Sequence, residues 1–231
     1  MFLLRRRVHY VPHMENAREF DVLLLDFGGV CLLNPVELHH KATEVLGLPE
    51  GSFQWLGPVD PSTDELWQDM IAGALTEREY WARRASEVGK AGGRDFDTRA
   101  YMTMLYEPAR PELVRPEATE TAVRAVAAGY GVSVLTNDMR AFHGREWEHD
   151  IDFLQIVDHI VDCSDTDILK PDPRAFTRAE ELIGVSADRM LFVDDQPINV
   201  QGAKDFGIES MWFDISKAAE SWHEVASRLG I

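Results

Sequence analysis

Cysteine and positive charge are both scarce in this sequence, and each shortage removes a class of protein. Cys31 and Cys163 are its two cysteines. Neither lies in a CxxC pair or beside histidines at zinc-finger spacing, so neither a disulfide framework nor a structural zinc site is expected. Reduced thiols and a cytoplasmic location are the corresponding expectation. Lys and Arg number 23 against 40 Asp and Glu, a formal net charge of −17. A surface so acidic repels phosphate backbones at long range, so no nucleic-acid partner is expected. A small anionic substrate stays compatible, because one buried lysine and a metal ion reverse the sign locally.

Long hydrophobic runs are missing as well. No stretch approaches the roughly 20 apolar residues needed to span a bilayer, so no membrane partner is expected. Residues Met1–Phe20 hold Arg5-Arg6-Arg7 without the apolar run of a secretory signal, and read as a solvated tail in which Met14 offers an alternative start. Repeats and low-complexity tracts are absent. What remains, 231 residues with 45% hydrophobic and 27% charged side chains, is a globular chain of one or two domains.

The first element, Asp21-Val22-Leu23-Leu24-Leu25-Asp26, has an unalternated apolar run that suits a strand covered on both faces. It stops at Gly28-Gly29, where the chain can turn sharply and approach a ligand closely. Residues 34–110 carry helical spacing and no strand. Pro35 to Leu48 reads as one helix, and Ser62 with Glu65, and Thr76 with Glu79, read as capping boxes opening two more. From Pro116 strands alternate with helices: a helix over 117–128, a strand over 132–135, a segment over 153–161 running into a loop, a helix over 173–183, a strand over 189–193, a helix over 198–206 and a last strand over 209–213. This alternation predicts an α/β fold, a Rossmann-like parallel sheet with helices on both faces, and the helical stretch after the first strand predicts a second, smaller domain.

In such sheets ligands bind beyond the carboxyl ends of the strands, at the switch in strand order. Each apolar strand here ends in polar residues: Asp26 with Gly28-Gly29, Thr136-Asn137-Asp138, and Asp194-Asp195 with Asn199. Lys170, in Leu169-Lys170-Pro171-Asp172-Pro173, precedes the third clear strand. At these residues the chain resembles the haloacid dehalogenase-like hydrolase superfamily, with Asp26, Thr136, Lys170 and Asp194-Asp195 as its four ordered motifs. Val193-Asp194-Asp195-Gln196-Pro197-Ile198-Asn199 is the most specific of them. The resemblance implies a core over residues 21–33 and 111–231 and a helical C1 cap domain over 34–110, with Gly73–Trp81 resembling a common cap helix.

It also implies roles. Asp26 is the nucleophile that forms an aspartyl-phosphate, Lys170 and Thr136 complete the catalytic set, and Asn137 and Gly29 contact substrate. Asp26, the Gly28 carbonyl, Asp194 and Asp195 hold Mg2+, which relieves the repulsion among the clustered carboxylates. Asp195 is favoured for direct ligation, whereas Asp138 and Asn199 read as local hydrogen-bond formers. The substrate class implied is a small phosphorylated metabolite, turned over by a monomer or homodimer.

One position departs from the family pattern. Its phosphatases carry a second Asp two residues after the nucleophile, which protonates the departing oxygen and later activates water; here that position is Gly28. A positioned general acid–base contributes about 10²–10⁴ in rate, and glycine supplies none. Related Asp-x-Gly-[Gly/Asn]-Val sequences leave phosphatase activity open. His39 or His40 of the cap could lend an acid, with a solvated pair as the plainer reading, and an acyl phosphate would need none. A 2-haloacid dehalogenase is the rival enzyme class, and a phosphonate hydrolase would need a cap lysine, Lys41 or Lys90. A catalytically impaired binding protein is the non-enzymatic alternative. Trp55, Trp67, Tyr80 and Trp81 could line a pocket, but at helical spacing read first as core.

Overall fold

The computed structural model describes residues 18–231. Five strands, β1 (Val22–Leu25), β2 (Gly131–Thr136), β3 (His159–Asp162), β4 (Met190–Asp194) and β5 (Glu209–Trp212), form one sheet in the order β3-β2-β1-β4-β5. Every neighbouring pair is parallel. Four helices form the insert that follows β1: α1 (His39–Leu46), α2 (Glu65–Ile71), α3 (Glu77–Ala91) and α4 (Thr98–Tyr106). The remainder are α5 (Pro116–Ala127), α6 (Met139–His143), α7 (Pro173–Ile183), α8 (Pro197–Phe206) and α9 (Ala218–Leu229). Among the described residues no helix is long and apolar enough to cross a membrane.

The two-residue period of β1 explains why its apolar run does not alternate. Leu23 and Leu25 point to one side, into a cluster with Ala118 and Ala122 of α5 and Trp222 and Val225 of α9. Leu24 points to the other, with Phe176 of α7, Phe192 of β4 and Ala203 of α8. Both faces are covered, and each such leucine contributes about 1.5–3 kcal/mol by its burial. The helices after β1 share the first cluster through Tyr80, Trp81, Val88, Tyr101 and Leu105, so the insert packs onto the same core.

Several local expectations are corrected. Pro35 to Leu48 is not one helix: Asn34 caps a 3-10 turn over Pro35–Leu38 through a capping box with Glu37, and α1 begins at His39. Thr76 and Glu79 form their capping box at α3, but Ser62 caps nothing at α2. Its hydroxyl is taken by Asp60 inside a separate 3-10 turn, and the cap is Asp64, which accepts from the Trp67 amide at 2.9 Å. The buried Asp64 also accepts from the Tyr80 hydroxyl at 2.8 Å and pairs with Arg84, so one carboxylate ties α2 to α3. Residues 153–161 hold a strand start: β3 is a short edge strand. The expected tail falls outside the described residues up to residue 17, and at its far end Phe20 is core rather than tail.

Within α8, Gly202 sits where an added Cβ would lie 2.6 Å from Cβ and 2.9 Å from the carbonyl oxygen of Pro171. Helix α8 therefore packs directly on the loop that carries Lys170. Gly202→Ala improves helix propensity by about 1 kcal/mol but overpacks a backbone contact at about 1–3 kcal/mol. The expected net effect is a lower melting temperature by calorimetry, at about 2–4 °C per kcal/mol; a rise would contradict this packing.

Candidate active site

Parallel pairing puts every strand's carboxyl end at the same edge of the sheet. In register, Leu25 of β1 stands between Val134 of β2 and Val193 of β4. Asp26 thus emerges beside Asp194, its amide bonded to the Val193 carbonyl at 2.8 Å, and Thr136 closes β2 on the other side. The sheet order reverses at β1, the switch point where open parallel sheets bind ligands.

Lys170 reaches this point from the loop before α7. Its Nζ lies 2.6 Å from Asp26 Oδ1 and 2.7 Å from Asp194 Oδ2, with the lysine side chain 1% exposed. Asn137 holds that loop: its Oδ1 accepts from the Lys170 amide at 2.8 Å and its Nδ2 donates to the Lys170 carbonyl at 3.3 Å. Burial alone would drive the lysine toward neutrality, but Asp194 and Asp26 more than reverse this and hold it charged. Asp194 is fully engaged, accepting also from the Gln196 amide at 2.8 Å and from Asn199 Nδ2. Asn199 is therefore a local hydrogen-bond former.

Asp195 differs. It is buried, and only its backbone carbonyl is engaged, by Trp212 Nε1 at 2.8 Å. Its carboxylate faces the Gly28-Gly29 turn, where Gly29 adopts φ +78° and a Cβ would come within 2.7 Å of Asp195 Oδ2. Glycine is required there twice, for the left-handed backbone and for the close approach. Gly28 has open space beside it. Carboxylate oxygens of Asp26, Asp194 and Asp195 all lie within 4.8 Å of one another. Burial, then the charge of Asp194, pushes Asp195 well above the ordinary carboxyl range. Burial is also the largest influence on Asp26, raising it to about 7 although Lys170 lowers it. Three crowded carboxylates share one lysine, and the one without a cationic partner lies next to Asp26. Hard oxygen donors with surplus negative charge fit a divalent cation such as magnesium.

The cleft over this cluster is lined by Asp26, Gly28, Thr136, Lys170 and Asp195, bringing together the strand ends singled out in the sequence. Trp67 and Trp81 line it too, whereas Trp55 and Tyr80 are buried against Arg84 behind it. His39 packs on Phe53 and Trp55, His40 is exposed, and neither belongs to the cleft wall. Lys41 donates to the Leu105 carbonyl and Lys90 is exposed, so no cap lysine is presented for a Schiff base.

Three residues escaped sequence reasoning. Arg115 donates to the Gly29 carbonyl at 3.0 and 3.1 Å and pairs with Glu37 at 2.7 Å, clamping the glycine turn. Arg78 pairs with Asp138 at 2.7 Å and joins the start of α3 to the loop after β2. Glu77, beside it, lines the cleft. Their partners are 60 or more residues away in the chain, and no local pattern signals them.

The chain belongs to the haloacid dehalogenase-like hydrolase family, whose model matches residues 20–207. It is a hydrolase by that membership. It is 32% identical over 122 residues to a phosphatase of Mycobacterium tuberculosis, a match covering 48% of this chain and 56% of the relative. To an (S)-2-haloacid dehalogenase of Pseudomonas putida it is 27% identical over 97 residues, covering 42% of this chain and 43% of that one. These matches span about half the length of the curated relatives. Among solved structures, the magnesium-bound hydrolase YfnB of Bacillus subtilis superposes with a TM-score of 0.70 at 18% identity, over 93% of this chain and all of that one. That likeness shows the fold.

Lys170→Met leaves two buried carboxylates unpaired. The expected cost is about 3–5 kcal/mol at neutral pH. Without the lysine the Asp26 carboxyl, already raised by burial, rises further above its unfolded value, so the folded protein takes up a proton as pH falls. The loss measured by denaturant unfolding should therefore be larger at pH 8 than at pH 5; a loss that grows on acidification would contradict this placement of charge.

Proposed function

We propose that this protein is a magnesium-dependent phosphatase of a small phosphorylated molecule, working through an aspartyl-phosphate on Asp26. The observation that carries the reading is Asp195: a buried carboxylate without a cationic partner, against the Gly28-Gly29 turn and within reach of Asp26. A site attacking carbon in a carboxylate substrate gains nothing from that extra negative charge, whereas a site gathering a cation and a phosphoryl group needs it.

In this reading Asp26, Asp195 and the Gly28 carbonyl hold the cation and Asp194 supports it from its bonds to Lys170. Bound there, magnesium supplies positive charge against the carboxylates and the phosphoryl oxygens. Asp26 attacks phosphorus in line and expels the alcohol; water then attacks phosphorus, breaks the bond to Asp26 and releases phosphate. Lys170 favours the ionised form of Asp26 against the burial that raises it, and offsets charge developing on the phosphoryl group. Thr136 and the Asn137 amide donate to phosphoryl oxygens, and Gly29 lets the backbone approach them. The helices of the insert after β1 serve as the cap that closes over substrate and excludes water.

Turnover of a panel of phosphate monoesters should vanish with EDTA and return with magnesium, and Asp26→Asn should lower it by at least about a thousandfold. Halide release from 2-chloropropionate that is indifferent to EDTA would replace this reading with the dehalogenase one. Independently of turnover, magnesium at about 100 times its Kd should stabilise the fold by about 2.7 kcal/mol. The shift in melting temperature should be larger at pH 8 than at pH 5, since the ligands must lose their protons.

A further inference from the structure

Gly28 leaves the proposed phosphatase without the acid–base group its chemistry calls for, and the space beside Gly28 is open. In-line attack by Asp26 places the departing oxygen on the far side of phosphorus, toward the wall built by the helices of the insert after β1. Glu77, the first residue of α3, lines the cleft from that wall together with Asp26, Gly28 and Gln196. Its neighbour Arg78 fastens this end of the helix to the core: the guanidinium grips Asp138 by two nitrogens at 2.7 and 2.9 Å and reaches the Thr166 carbonyl at 3.4 Å. The Thr76 capping box fixes the same turn from the other side. Glu77 is thus anchored by its flanks in the wall of the cleft that Asp26 and Gln196 also line.

Of the other titratable groups of the cleft, Asp26 and Asp195 are taken by the cation in the proposed reading, and the Tyr106 hydroxyl donates to the Leu33 carbonyl at 2.6 Å. Asp138 is held by Arg78, and Lys170 by Asp26 and Asp194. His143 is stacked on Trp147 at 4.2 Å and burial drives it down to about 3, so it carries no proton to give at neutral pH.

Resting on the phosphatase reading, we propose that Glu77 is the catalytic acid–base of the reaction, supplied from the helical insert in place of the residue missing at Gly28. Its carboxyl gives its proton to the leaving oxygen as the P–O bond breaks and Asp26 forms its bond to phosphorus, so the alcohol departs neutral. The resulting carboxylate then takes a proton from the water whose oxygen attacks the aspartyl-phosphate. That step frees phosphate, restores Asp26 and returns Glu77 to its protonated form. Burial, and then the charge of Asp138, raises the Glu77 carboxyl above its ordinary range, which favours the protonated form the first step starts from.

The test compares two aryl esters on the magnesium-loaded full-length enzyme. Phenyl phosphate releases a phenol with a pKa near that of tyrosine, about 10, and needs the acid; p-nitrophenyl phosphate releases a far weaker base and does not. Glu77→Gln is expected to lower kcat/KM for phenyl phosphate by about 10²–10⁴ while sparing formation of the phospho-enzyme from p-nitrophenyl phosphate. With that ester a burst of nitrophenolate should appear and phosphorylated Asp26 should accumulate in intact-mass spectra, because breakdown lacks its base. Adding Gly28→Asp to Glu77→Gln should restore phenyl phosphate turnover, which separates a lost proton transfer from a damaged fold. Equal losses on both esters with no burst, or no rescue in the double variant, would overturn the role of Glu77. A wild-type enzyme that hydrolyses neither ester with magnesium present would overturn the phosphatase reading itself, and this proposal with it.

Discussion

One buried ammonium group sets the order of this site. Lys170 bonds Asp26 and Asp194 at once, from a side chain removed from water. Taking three ions out of water is costly, and the cost is recovered only when each charge has close partners. The surrounding structure supplies them. Asn137 grips the lysine's own backbone, Asn199 and the Gln196 amide complete Asp194, and Gly202 lets α8 press on Pro171 so that the lysine loop cannot drift. What the arrangement leaves uncompensated is Asp195, the carboxylate to which the proposed cation is assigned.

The sheet makes this possible by its direction and register. With all five strands parallel, residues from positions 26, 136 and 194 reach one edge without any loop having to fold back. The insert between β1 and β2 contributes the opposite wall, and its attachment is electrostatic as well as apolar. Arg78 meets Asp138 across the cleft, and Arg115 meets Glu37 beneath it while holding the Gly29 carbonyl. The same contacts that dock the insert also shape the turn beside Asp26.

Much of this was legible because each element writes its own signal locally. The run Val22–Leu25 reads as a buried strand, Gly184 and Gly207 stop helices in the left-handed conformation, and the polar residues after β1, β2 and β4 stand where a parallel sheet must deliver them. Short or mixed elements were harder. β3 is an edge strand of four residues with His159 and Asp162 at its ends, too brief for a two-residue alternation to stand out. α9 follows the last strand without a side-chain cap to mark its start, and Ser62 resembles a cap until Asp64, two residues on, proves to hold the helix. The insert's contributions, Glu77 and Arg78, depend on how α3 packs against α2 and α4. That is set by packing among Tyr80, Trp81 and the core, and no spacing along the chain encodes it. The two histidines of α1 illustrate the converse: suggestive in sequence, His39 packs on Phe53 and Trp55 and His40 is exposed, and neither lines the cleft.

The central claim is that Asp26, Lys170 and Asp195 act as one unit around a cation. A crystal structure of the protein with magnesium and beryllofluoride, a mimic of a phosphorylated carboxylate, tests it most directly. The account predicts beryllium bonded to a carboxylate oxygen of Asp26, a cation about 2.0–2.1 Å from oxygens of Asp26 and Asp195, and Lys170 still bridging to Asp194. A cation bound away from Asp26 and Asp195, or beryllofluoride on a different carboxylate, would contradict it.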